Sequence, residues 1–153
     1  MAAEFIPPGV YPVLPGALSR QLRDPAVTAA VQHVLTDNVA SLADVVHAVI
    51  AGLNAQADPA RLYENAHEIR GLAGNAGLAA TARIAAGLCR YLDAAAGAPE
   101  MAVLQLHIEA LARTARAGDG GLSEAVALEL GALVARKLAE IKASETTTKR
   151  DAV

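Results

Sequence analysis

The sequence predicts an all-α protein, an antiparallel up-down four-helix bundle with an N-terminal extension. Three observations carry that prediction. Hydrophobic residues make up 54% of the 153 positions while aromatic residues make up 3%, with no Trp. An interior built from alanine and leucine suits closely packed helices better than a sheet. Apolar residues recur at i, i+3, i+4 and i+7 in long blocks, and short Asp-Pro and glycine-rich breaks separate those blocks. Connections of a few residues favour antiparallel neighbours.

Taken in order, residues 1–23 carry Pro7, Pro8, Pro12 and Pro15 around Gly9 and Gly16. Such a segment resists helix and sheet and reads as an extended arm. Its Phe5, Ile6, Val10, Tyr11, Val13 and Leu14 are too apolar for a free linker. Asp24-Pro25 is a helix start, a capping carboxylate followed by proline at the first helical position. From Val27 to Leu53 the apolar residues keep one phase, in one helix or in two broken near Thr36-Asp37-Asn38. His33 and His47 lie there, four turns apart, and are expected on the solvated face. Asp58-Pro59 repeats the start signal, and Gly77 is placed to end that second helix at positive φ.

A helix from about Ala79 to Ala96 follows, with Ile84, Leu88, Tyr91 and Leu92 as its larger apolar residues and Cys89 as a buried small hydrophobe. Gly97-Ala98-Pro99 breaks it. The next helix, about Glu100 to Ala117, is expected to turn Met101, Leu104, Ile108 and Leu111 inward and to leave His107 exposed. After Gly118-Asp119-Gly120-Gly121, Ser123 is expected to cap the last helix. The organisation is thus an arm (1–23), a helical domain (24–142) and a polar tail (143–153) expected to be disordered.

The formal charge of −3 and pI near 5.8 give no basic surface of the kind nucleic acids require. Cys89 is the single cysteine, which fits a reducing compartment. No uninterrupted apolar run of about 18 residues and no signal-peptide pattern is present, so a soluble cytoplasmic protein without membrane contact is expected.

Chemistry concentrates in the helix after Asp58. Leu62, Ala66, Ile69, Ala73 and Ala76 form its apolar stripe. On the other side stands His67, flanked by Tyr63, Arg70, Gly71 and Gly74. Each glycine inside a helix costs roughly 1 kcal/mol relative to alanine, and both fall at i+4 and i+7 from the histidine. Glycine on that face opens room for another molecule to reach the imidazole, a neutral nitrogen nucleophile at physiological pH. Arg70, one turn along, has the planar fork that pairs with phosphoryl oxygens; its plainer reading is a surface salt bridge to Glu64 or Glu68. Asn75 either caps the helix end or orients the ring. Glu64 and His67 form an E-x-x-H pair, but it faces away from the apolar stripe and has no second set, so no metal site is expected.

The run Ala66-His67-Glu68-Ile69-Arg70-Gly71-Leu72-Ala73-Gly74-Asn75-Ala76-Gly77 resembles the signature of histidine-containing phosphotransfer domains. That signature has a small residue before the histidine, an aliphatic at +2, Lys or Arg at +3, Gly at +4 and Gly at +10. Leu72 departs from it where a small residue is usual, and Arg70 replaces the commoner Lys. The resemblance implies a four-helix bundle in which His67 accepts a phosphoryl group from a receiver-domain aspartate of a hybrid sensor kinase. The group then passes to a response regulator. Arg70 would steady it, and Tyr63, Glu64, Glu68, Gly71, Gly74 and Asn75 would meet the partner. No cofactor is implied, since Mg²⁺ belongs to the receiver, and a monomer is expected. No phosphate-binding loop or kinase nucleotide motif is present, so ATP-dependent self-phosphorylation is not expected. Two other readings compete. His67-Glu68-Ile69-Arg70 also resembles the start of a histidine-kinase dimerisation box, which implies a degenerate, dimeric phosphotransferase. A helical adaptor with an incidental histidine is the other.

Overall fold

The computed structural model describes residues 24–151, and the expected arm at 1–23 lies outside them. The described residues form five helices and no strand: α1 Pro25–Ala51, α2 Pro59–Asn75, α3 Ala79–Ala94, α4 Met101–Ala117 and α5 Gly121–Asp151. The chain divides by compactness between Asp37 and Asn38, inside α1.

α1 is a single unbroken helix. The Asp24 carboxylate accepts the Ala26 amide at 2.9 Å, the capping bond its position predicts. Thr36 does not break the helix, because its hydroxyl turns back onto the Gln32 carbonyl at 2.8 Å and so leaves the backbone ladder intact. α1 is also long and apolar enough to cross a membrane by length and composition alone. Against that stand Asp37 and Asp44 within it and the burial of Val46 and Ile50 in the protein core.

Asp58 precedes α2 as expected but makes no side-chain cap bond. The C-terminal end of α2 closes with two bonds of a Schellman turn. Leu78 N–H donates to the Ala73 carbonyl at 2.8 Å and Gly77 N–H to the Gly74 carbonyl at 3.4 Å. Gly77 at φ +75° supplies the left-handed residue this geometry needs.

α3 is the central element, packing against α2, α4 and α5. Nine of its residues are buried, among them Ala80, Ala85 and Gly87, whose small size lets neighbouring helices approach. Its N-terminus is capped from a distance: the Asp119 carboxylate accepts the Ala79 amide at 2.6 Å and the Ala80 amide at 3.0 Å. An anion at a helix N-terminus satisfies free amides and complements the dipole. Arg83 pairs with Glu124 and ties α3 to α5. At the other end of α3, the buried Tyr91 hydroxyl accepts the Glu100 amide at 2.7 Å.

Three expectations change in the last two helices. α4 buries Val103, Leu104, His107, Ala110 and Leu111, while Met101 is 43% exposed. His107 is therefore inside, where the sequence places it outside. Ser123 lies within the first turn of α5, and its hydroxyl donates back to the Gly118 carbonyl at 2.7 Å. Finally, α5 continues as helix past residue 142 to Asp151. Once Val134 is anchored in the core, each further turn propagates on a formed helix, which costs far less than nucleating one. Ser144 and Thr146 hydroxyls also bond back to the Ile141 and Lys142 carbonyls.

Candidate functional site

The site is built on one helix, and burial fixes its orientation. Leu62, Ala66, Ile69 and Ala73 of α2 are each no more than 1% exposed. With that stripe locked inward, His67 stands at the surface and Gly71 and Gly74 are exposed beside it. A Cβ built on either glycine meets nothing within 4 Å. The protein's own packing therefore does not require glycine at 71 or 74, and the lost helix propensity has no intramolecular compensation.

Arg70 lies against the imidazole, its Nη2 2.9 Å from His67 Nε2. A guanidinium has only donors, so Nε2 is the acceptor and the ring proton resides on Nδ1. The arginine thus fixes a neutral tautomer with its nucleophilic lone pair on the outward nitrogen. Among the described residues, Arg70 forms no salt bridge with Glu64 or Glu68, both of which are exposed. The half-buried Tyr63 ring lies 6.2 Å from the His67 ring, centroid to centroid, tilted by 31°. Asn75 is exposed at the far end of α2, eight residues or about 12 Å of helix rise from His67. It does not reach the ring, which leaves the helix end as its place of action.

A feature the sequence did not bring together adjoins this site. Tyr63 and Glu64, with Asp58, Pro59 and Ala60, line a groove whose other wall is Leu92, Asp93 and Gly97 from α3 and the turn after it. The groove joins residues some thirty positions apart, and no local pattern marks it.

The other titratable candidates separate clearly from His67. His33 is solvated and sits 3.6 Å from Asp37. His47 is exposed, but its Nε2 donates to the Ala115 carbonyl at 3.0 Å, linking α1 to α4. The His107 Nδ1 donates to the Val103 carbonyl at 2.8 Å, and its buried Nε2 has no partner among the described residues. Burial holds the His107 imidazole below its usual pKa, only partly opposed by the Val103 carbonyl. Cys89 is buried, and desolvation raises its thiol pKa; the charge of Arg70 opposes this and Asp93 adds to it. A thiol so placed is a poor nucleophile. No group of three or more His, Cys, Asp or Glu side chains converges among the described residues.

In comparisons with known proteins, the chain matches no protein-family model, no curated protein and no solved structure.

Proposed function

We propose that this protein is a histidine phosphotransfer protein of a two-component phosphorelay, with His67 as phosphoacceptor. One observation carries the reading. An exposed imidazole, held neutral with its lone pair on Nε2 by Arg70, stands beside two glycines that the fold itself does not require. Acid–base enzymes instead enclose their histidines, and an adaptor has no use for a fixed tautomer.

The chemistry follows from the geometry. Nε2 attacks the phosphorus of a partner receiver's aspartyl phosphate. The new N–P bond forms as the P–O bond to aspartate breaks, and the carboxylate leaves with that electron pair. The Nδ1 proton stays on the ring. Arg70 must release Nε2 for this to happen, and its fork then faces the phosphoryl oxygens, where charge spreads during transfer. Attack by a second receiver's carboxylate reverses the sequence. The partners are thus receiver domains of a hybrid kinase and a response regulator, with Mg²⁺ bound by the receiver, in the cytoplasm. The protein has no ATP-dependent kinase activity in this scheme. Incubation with phosphorylated receiver domains should place acid-labile label on the protein; labelling that persists in His67→Ala overturns the assignment.

A further inference from the structure

α1 leaves a row of branched side chains in water: Val27, Val31, Val34 and Val45 are 36%, 47%, 57% and 45% exposed. With Asn38 and Ser41, also exposed, they follow the spacing 27, 31, 34, 38, 41, 45. These alternating steps of four and three are the seam of a coiled coil. Val31, Asn38 and Val45 fall at a positions, and Val27, Val34 and Ser41 at d positions. Val46 and Ile50, which α1 buries in the core, fall at b and f, on a different side of the helix. The seam is therefore free while α1 is packed.

We infer that this seam pairs with the same seam of a second copy of the chain, parallel and in register. The pattern itself selects the occupant. β-Branched residues at a favour two strands, and a single asparagine at a fixes register by meeting its own counterpart. Charge selects the direction. The acidic residues of α1, Asp37 and Asp44, both occupy g, and the matching e positions are Thr28, Leu35 and Leu42, all uncharged. In a parallel pair g faces e, so no like charges meet. In an antiparallel pair g faces g, which sets aspartate against aspartate, and Asn38 would oppose a d residue such as Val34. The dimer replaces the monomer expected from sequence. It does not use α2, so it leaves His67 exposed and stands apart from a kinase-type dimer built on the histidine helix.

The test is the mass of the full chain by light scattering across a wide concentration range. The expected result is a concentration-dependent two-chain particle, reduced to one chain by Val31→Asp with Val34→Asp while helicity is kept. In a Cys89→Ala background, Asn38→Cys should form a disulfide-linked dimer under mild oxidation. Thr36→Cys, at the outward f position, should not. The cysteine pair keeps the inference open to refutation if the aspartates unfold α1. A single-chain mass at every concentration overturns it, whether residues 1–23 or the surface of added phosphatidylcholine vesicles then takes up the seam. A dimer that survives both aspartates, or linkage at 36 as readily as at 38, overturns it equally.

Discussion

His67 and His107 are both single histidines on amphipathic helices, and the fold makes them opposites. His67 is exposed, with Nε2 engaged by a guanidinium. His107 is buried, with Nε2 facing the space beside Gly87 and Val134 and bonded to nothing described. In one, the outward nitrogen is held ready for a reaction partner. In the other, protonation would put a charge where no solvent or acid can meet it. The difference teaches that a histidine's role follows from which arc of its helix the core claims, since the ring itself is the same.

Exchanging the two roles should be impossible. His67→Ala should reduce labelling by phosphorylated receivers to background, while His107→Leu should leave it near wild type; loss of labelling in both would remove the distinction. The reverse asymmetry belongs to stability. His107→Ala should lower unfolding free energy by on the order of 2–4 kcal/mol, as core truncations do, and His67→Ala by less than about 0.5 kcal/mol, typical of an exposed site. Denaturant melts of the two variants decide this.

Arg70→Ala sharpens the comparison on the reactive side. Losing one charge-assisted donor at an exposed site should slow transfer about tenfold, or roughly 1.4 kcal/mol. Arg70→Lys, lacking the planar fork, should restore only part. A rate unchanged by both would leave the arginine without a role in transfer.

Acid should separate the histidines next. Because burial lowers the folded pKa of His107, the unfolded chain binds more protons than the native one between that value and the ordinary 6.5. The native state is therefore fully favoured above about pH 6.5 and loses stability as pH falls through that window. His107→Leu should flatten this part of the stability profile, and an unchanged slope would assign the acid sensitivity elsewhere. The smallest effect is at the glycines. Gly71→Ala should stabilise α2 by about 0.5–1 kcal/mol, since its Cβ enters open space. Gly71→Leu should be equally folded yet impaired with receiver donors while still labelled by phosphoramidate, a small donor that needs no docking.

The candidate site was readable from sequence because it lies on one helix. Asp58-Pro59 and Gly77 mark the ends of α2, and the stripe from Leu62 to Ala73 is wholly apolar, so its phase assigns His67 to the opposite face without further information. α4 failed the same test for a physical reason. Its buried arc includes His107 and Thr114, which a count of apolar residues does not score, so the reading rotated the helix toward Met101 and Ile108. The distant cap that Asp119 gives α3, the wall that Asp93 adds beside Tyr63, and the persistence of α5 beyond residue 142 carried no local signal.

The sequence by itself determined the all-helical class, the helix starts and the outward face of α2, because those depend on propensities and periodicities within a few turns. Only the tertiary structure decided that α3 is the hub, that His107 is core and that Arg70 rests on the imidazole. Those outcomes depend on which side chains from distant segments compete for the same space, and neighbouring residues do not encode that competition.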